Sequence, residues 1–176
     1  MNLPNKLTLL RVLMIPVCPA LLYFRRDIAA AVVFALACFT DYLDGYIARR
    51  SKIVTNFGKF ADPVADKILV ITVMVMLLYQ ARFPLWALSI VVARELAVDG
   101  LRLVAVEKGI VIAARSLGKR KTGFQMAVVL AAIINAPVWL VTVLAGIMTL
   151  LTIVSGAQYF YEGRKVMDID EHSASA

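Results

Sequence analysis

The chain has 176 residues, 61% of them hydrophobic, and a formal net charge of +7. A chain this short has too little interior to hide so much apolar surface from water, which excludes an ordinary soluble globule. The same composition excludes a disordered chain, and two cysteines exclude a disulfide scaffold, leaving an integral membrane protein as the class to test.

A membrane helix needs about 20 mostly apolar residues. The first such run spans about Leu7 to Phe24 and carries Pro16 and Pro19. Lys6 and Arg11 are the only charges of the N-terminal segment MNLPNKLTLLR, and no clean small-residue cleavage site follows. It therefore reads as a retained, slightly kinked span rather than a removable signal. The second runs from about Ile28 to Ala48 and ends in Asp41 and Asp44. After the polar link RRSKIVTNFGKFAD, a third span is expected from Pro63 to Gln80, with Asp62 as its N-cap. The fourth runs from about Pro84 to Val106 and contains Arg94, Glu95, Asp99 and Arg102. The basic stretch EKGIVIAARSLGKRKTG follows. The block from Phe124 to Val154 is too long for one span, and Asn135-Ala136-Pro137 divides it, because the residue before a proline avoids helical backbone. The expectation is an all-α, polytopic membrane bundle of about six helices. Residues 1–165 form one domain, and the acidic end 166–176 is a solvated, disordered tail.

Lysine and arginine fall mostly on one side of such a bundle. Lys6, the 49–67 and 108–121 clusters, Arg164 and Lys165 lie on one side, and Arg25, Arg26 and Arg82 on the other. The positive-inside rule then places both termini in the cytoplasm of a multi-pass cell-membrane protein. Cys18 and Cys38 lie in apolar runs without metal-ligand spacing, and the single histidine, His172, lies in the polar tail. Chemistry must come from carboxylates, cations and backbone.

Asp41 and Asp44 are three residues apart and Asp62 and Asp66 four apart, so each pair shares a helical face. A short link joins their helices, which brings four carboxylates together at the cytoplasmic boundary. Charges on a span are costly and normally face protein or a wet cavity. Divalent cations relieve the mutual repulsion, and an all-oxygen donor set favours Mg²⁺, Mn²⁺ or Ca²⁺ over zinc. Two ions about 3.5–4 Å apart suit phosphoryl displacement. The structural alternative makes these acids caps and ion-pair partners of Arg49, Arg50, Lys59 and Lys67. Gly45, Ala48 and Gly58 leave room for a ligand's approach, or for close helix packing, and Arg49 has the fork geometry that grips phosphate.

Together these residues spell Asp41-x-x-Asp44-Gly45-x-x-Ala48-Arg49, eight residues, then Gly58-x-x-x-Asp62-x-x-x-Asp66. The pattern resembles the signature of the CDP-alcohol phosphotransferase family at all eight positions. The resemblance implies a six-helix membrane enzyme, usually a homodimer, that moves a phosphatidyl group from CDP-diacylglycerol to an alcohol and releases CMP. It implies that Asp41, Asp44 and Asp62 ligate Mg²⁺ or Mn²⁺, two ions in all. Asp66 contributes to the second ion and is the candidate general base. Gly45, Ala48, Arg49 and Gly58 would line the CDP site.

The segments NLPNKLTLLRVLMIP, TNFGKFADPVADK, ARELAVDGLR and LGKRKT resemble the branch of the family whose acceptor is sn-glycerol 3-phosphate. Its phosphate needs cations of its own. Arg94, Arg102, Lys119 and Lys121 are the candidates, with Arg11 and Arg115 behind them. The alternative for Arg94 and Arg102 is pairing with Glu95 and Asp99. Met74 and Met76 are either lipid-tail contacts or bundle core. Serine or an inositol phosphate as acceptor, or a small cation or phosphate transporter, are the rival functions. Membrane lipid is an expected partner and nucleic acid is not.

Overall fold

A computed structural model describes the backbone of residues 3–51, 56–107 and 116–173, and the side chains of 10–40, 64–106, 118, 121–161 and 163. These residues form six helices: α1 (Leu3–Tyr23), α2 (Asp27–Ser51), α3 (Asn56–Tyr79), α4 (Leu85–Glu107), α5 (Ser116–Ile133) and α6 (Val138–Ser173). No strand occurs among the described residues.

Three helix boundaries differ from the sequence expectation. Helix α3 begins at Asn56, so Asp62 lies within the helix and is not its N-cap. A proline inside a helix removes one backbone donor, and the flanking turns outweigh that loss here. The same balance holds in α1, which continues through Pro16 and Pro19. Helix α5 begins at Ser116 and takes in the basic LGKRKT segment, whose residues are mostly good helix formers. Helix α6 runs on to Ser173, through most of the segment expected to be a solvated tail.

The three short reversals share one design. After α1, the N–H of Arg25 donates to the Leu22 carbonyl and that of Arg26 to Leu21. Ala81 and Arg82 repeat the pattern on Leu78 and Leu77, and Asn135 and Ala136 repeat it on Ala132 and Ala131. Each is a Schellman cap whose corner residue has left-handed backbone: Arg25 at φ 57°, Ala81 at 56° and Asn135 at 63°. Glycine is the usual occupant of such a corner and none of the three is glycine. Ala81 is exposed and loses no packing on substitution. Ala81→Gly is expected to stabilise the protein by about 0.5–1 kcal/mol, glycine's own entropy offsetting part of the left-handed strain. A higher melting temperature in detergent is the expected reading; a lower one contradicts the strain argument.

Cross-links fix the helix directions. Gln80 Nε2 donates to the Leu22 carbonyl at 2.6 Å, and Arg82 pairs with Asp27 at 2.8 Å. These join the end of α1, the start of α2 and the α3–α4 corner. At the other end Arg11 of α1 meets Asp66 of α3. Helices α1 and α3 are therefore parallel, with α2 antiparallel to both. Helix α1 packs against α2 and α3, and α5 also touches both.

The core residues follow helical spacing: Ala30, Phe34 and Ala37 on α2; Leu69, Val73 and Leu77 on α3; Val141, Ala145 and Met148 on α6. Met74 is fully buried and Met76 packs against the core, which is the bundle-core alternative for both. Cys18 is buried, with Sγ 3.6 Å from the Ala30 carbonyl, and Cys38 is half-buried against the core.

The outward faces are apolar too: Val32, Leu36, Phe39, Leu96, Leu103, Leu150 and Ile153 are all exposed. A helix apolar all round belongs in hydrocarbon. Val138–Tyr161 is by itself long and apolar enough to cross a membrane. Tyr23, Phe24, Tyr79, Trp86 and Trp139 stand exposed around the end that carries the three corners. Aromatic side chains collect in this way at a membrane–water boundary. The chain is an all-α polytopic membrane bundle.

Candidate active site

The buried charges lie between the middle of the bundle and the end opposite the corners. Helix α2 closes there and α3 opens there, with residues 52–55 between them. At 1.5 Å per residue, Asp44 lies about 10 Å back from the end of α2 and Asp62 about 9 Å into α3. Asp41 and Asp66 both lie about 15 Å from those ends. Asp41 and Asp66 are thus equally far along the chain from the linked ends of their antiparallel helices, and Asp44 and Asp62 nearly so. The side chains of Asp41, Asp44 and Asp62 lie outside the described residues, as do those of Gly45, Ala48, Arg49, Gly58, Lys119 and Arg115. Among the described residues no group of three metal-ligating side chains occurs.

Asp66 is described. Its Oδ1 lies 3.1 Å from Nε of Arg11, whose side chain is completely buried. Sequence reasoning gave Arg11 a minor place at the acceptor phosphate; the structure sets it against the candidate base instead. A guanidinium cannot shed its charge, so burial in a membrane bundle demands a carboxylate beside it.

A second cluster lies where α3, α4 and α5 meet. Glu95 Oε1 accepts from Arg94 Nη1 at 3.1 Å and from Lys121 Nζ, while Oε2 lies 3.4 Å from Lys67 Nζ. Lys67 also donates to both carboxylate oxygens of Asp99. The structural alternative made Lys67 an ion-pair partner of the four aspartates; among the described residues its partners are Glu95 and Asp99. The pairing alternative is half right for α4. Arg94 does pair with Glu95, but Arg102 donates to the Tyr159 hydroxyl at 2.6 Å and stacks over that ring at 5.1 Å. Arg94 also donates to Ser155 and lies over the same ring at 5.7 Å.

The sequence of α6 permits this approach. Helices α4 and α6 run parallel, because Arg94 meets Ser155 while Arg102 meets Tyr159. A methyl on Gly156 would stand 3.1 Å from Arg94 Cγ, and one on Gly163 only 2.6 Å from Leu101 Cδ2. The two glycines, seven residues apart, give α4 a bare strip of backbone on which Arg94 and Leu101 lie.

Two cavities flank the cluster and share Lys67, Glu95 and Thr122 in their walls. One, of about 190 Å³, holds Asp66 and Lys121 against Val70, Ile71, Gln125 and Met126. The other, of about 180 Å³, is lined by Arg94, Arg102, Gly118 and Tyr159 besides the shared residues. The Nε atoms of Arg94 and Arg102 are buried without a hydrogen-bond partner in the structure. Arg94, Arg102 and Lys67 together give that cavity a cationic wall, which suits an anionic guest. The sequence candidates thus divide: Arg94 and Arg102 line one cavity, and Lys121 lines the other beside Asp66. Lys67, Glu95 and Tyr159 were missed as site residues. The signal for Glu95 was its place among apolar neighbours on α4, where a carboxylate needs cations from other helices.

Comparison with known proteins supplies the family. The model of the CDP-alcohol phosphatidyltransferase family matches residues 1–156. A CDP-diacylglycerol–glycerol-3-phosphate 3-phosphatidyltransferase of Bacillus subtilis is 39% identical, covering 90% of this chain and 93% of its own. One of Pseudomonas fluorescens is 40% identical over 86% of this chain and 82% of its own. A probable phosphatidylglycerophosphate synthase of Mycobacterium tuberculosis is 35% identical, with 90% and 79% covered. With the eight-position signature spread over α2 and α3 and the family match running through α1–α5 into α6, the chain belongs to the CDP-alcohol phosphatidyltransferase family.

Proposed function

We propose that this chain transfers the phosphatidyl group of CDP-diacylglycerol to sn-glycerol 3-phosphate, giving phosphatidylglycerophosphate and CMP in phospholipid synthesis. The observation that carries the acceptor is the cavity lined by Lys67, Arg94 and Arg102, which adjoins the cavity that contains Asp66. A phosphomonoester held by Arg94 and Arg102 leaves its glycerol end to extend past Lys67 toward Asp66. The names of the relatives support the same pair of substrates.

The family generally depends on a divalent metal. The all-oxygen donors Asp41, Asp44, Asp62 and Asp66, two on each of two linked helices, suit Mg²⁺ or Mn²⁺, two ions in our reading. When bound, the metal withdraws charge from the pyrophosphate. Everything else falls to the protein. Asp66 takes the proton of the attacking 1-hydroxyl, and Arg11 holds that carboxylate in place. Gly45, Ala48 and Gly58 leave space for the nucleotide, and Arg49 forks onto its phosphate. Arg94 and Arg102 anchor the acceptor, and Lys121 stands beside the reacting carboxylate. Lys119 is retained as a further acceptor cation. The hydroxyl oxygen attacks the lipid-bearing phosphorus, the bond to the CMP oxygen breaks, and the electron pair leaves with CMP.

The position of the site suits two substrates of opposite solubility. Lipid tails stay in hydrocarbon along the apolar outer faces, while the nucleotide and glycerol phosphate arrive from water at the polar end. Orientation by the positive-inside rule puts that end, and both termini, on the cytoplasmic face of the cell membrane. Residues 1–165 act as one catalytic domain.

The test is CMP release by purified protein given CDP-diacylglycerol and glycerol 3-phosphate. Release is expected to stop with excess EDTA and return with Mg²⁺ or Mn²⁺. Serine or inositol phosphate supporting faster release than glycerol 3-phosphate would reassign the acceptor.

A further inference from the structure

We propose that Glu95 is a positioning residue that holds the cations of the anion pocket in one arrangement and sets the pocket's charge. The inference rests on the acceptor reading above. A single carboxylate on α4 meets Lys67 from α3, Arg94 from its own helix and Lys121 from α5. Both of its oxygens are engaged, and Glu95 is nearly buried. It belongs to the wall of both cavities.

The charges around it give the arrangement a purpose. Lys67, Arg94, Arg102 and Lys121 bring four positive charges, and Glu95 and Asp99 remove two. Two positive charges remain, which balance a phosphomonoester dianion. Asp66 and Arg11 cancel one another beside this group. Without Glu95 the three cations it joins would repel one another in a medium of low dielectric. Long side chains released in that way would turn toward the water at the polar end. The pocket would gain formal charge and lose its shape. Thus Glu95 acts through Lys67, Arg94 and Lys121, and it does not itself touch the substrate.

The two possible roles of this carboxylate predict opposite signs. If Glu95 only diluted the positive charge, Glu95→Gln would bind phosphate more tightly. If it positions the cations, Glu95→Gln weakens phosphate binding despite the added charge. We expect the KM for glycerol 3-phosphate to rise at least tenfold in Glu95→Gln, with the KM for CDP-diacylglycerol changed less than twofold. Glu95→Asp, which keeps the charge on a shorter stem, is expected to fall between the variant and the wild type. In a Lys121→Gln background the Glu95→Gln effect should shrink, because one of the positioned cations is gone.

An unchanged or lowered KM for glycerol 3-phosphate in Glu95→Gln overturns the proposal, as does an equal rise for both substrates. Should Glu95→Gln fail to fold in detergent, Glu95→Asp decides alone: a selective rise supports positioning, and wild-type kinetics refute it. Inorganic phosphate separates this inference from the acceptor assignment. If wild-type protein turns over some other acceptor, phosphate protection against thermal unfolding is compared in wild type and Glu95→Gln. Weaker protection in the variant supports the positioning role, and equal or stronger protection overturns it.

Discussion

Asp66→Asn is expected to lower kcat for CMP release by about 10²–10⁴-fold, the range associated with losing a positioned base. Asparagine matches aspartate in shape and still offers Oδ1 to Nε of Arg11, but it cannot take a proton from the acceptor hydroxyl. The substitution also leaves the buried Arg11 with less negative charge around it. Breaking a buried ion pair from one side costs about 3–5 kcal/mol, so lost activity alone would be ambiguous. Asp66→Glu resolves it. Glutamate preserves the charge that Arg11 requires and moves the carboxyl by one methylene. It is expected to keep its melting temperature and lose at least about tenfold in kcat, because misplacement of a reacting group is costly. Wild-type turnover in either variant, measured by labelled CMP release, removes Asp66 from the reaction.

Arg102→Gln should act on the other substrate. Its guanidinium touches the Tyr159 hydroxyl and ring, and its Nε is buried without a partner. A hydrogen bond to a charged group contributes about 1.5–3 kcal/mol, which corresponds to a rise of about tenfold to a hundredfold in KM for glycerol 3-phosphate. The KM for CDP-diacylglycerol should stay within about twofold. Arg102 serves this test better than Arg94, because Arg94 also pairs with Glu95 and its removal would disturb the whole cluster. Equal effects on both substrates would show that Arg102 supports the bundle and not the acceptor.

Much of this organisation is written in local sequence signals. Asn135-Ala136-Pro137 separates α5 from α6 because a pre-proline residue avoids helical backbone, and the helices end and restart on either side of it. The spacing of Asp41, Asp44, Asp62 and Asp66 shows on its own that the acids form face-sharing pairs. The start of α3 was not legible, since Pro63 is a stronger local signal for a first turn than anything near Asn56. Nor could sequence say which cations serve which acids. Arg11, Lys67 and Lys121 are each remote in sequence from their carboxylates, and only helix packing pairs them. Local spacing misleads most at Arg102. Asp99 lies three residues before it and is an obvious partner, yet Asp99 accepts from Lys67 and Arg102 turns to Tyr159.

The three left-handed corners all lie on one rim, so the six helices form three consecutive hairpins. Lys67, Arg94 and Glu95 come from the second hairpin, Lys121 and Tyr159 from the third. A chain divided between α4 and α5 would leave every hairpin whole while splitting the phosphate pocket across two pieces. Co-expressed halves would then regain turnover only by docking in the bilayer, and CMP release would serve as a direct gauge of how hairpins recognise one another in lipid.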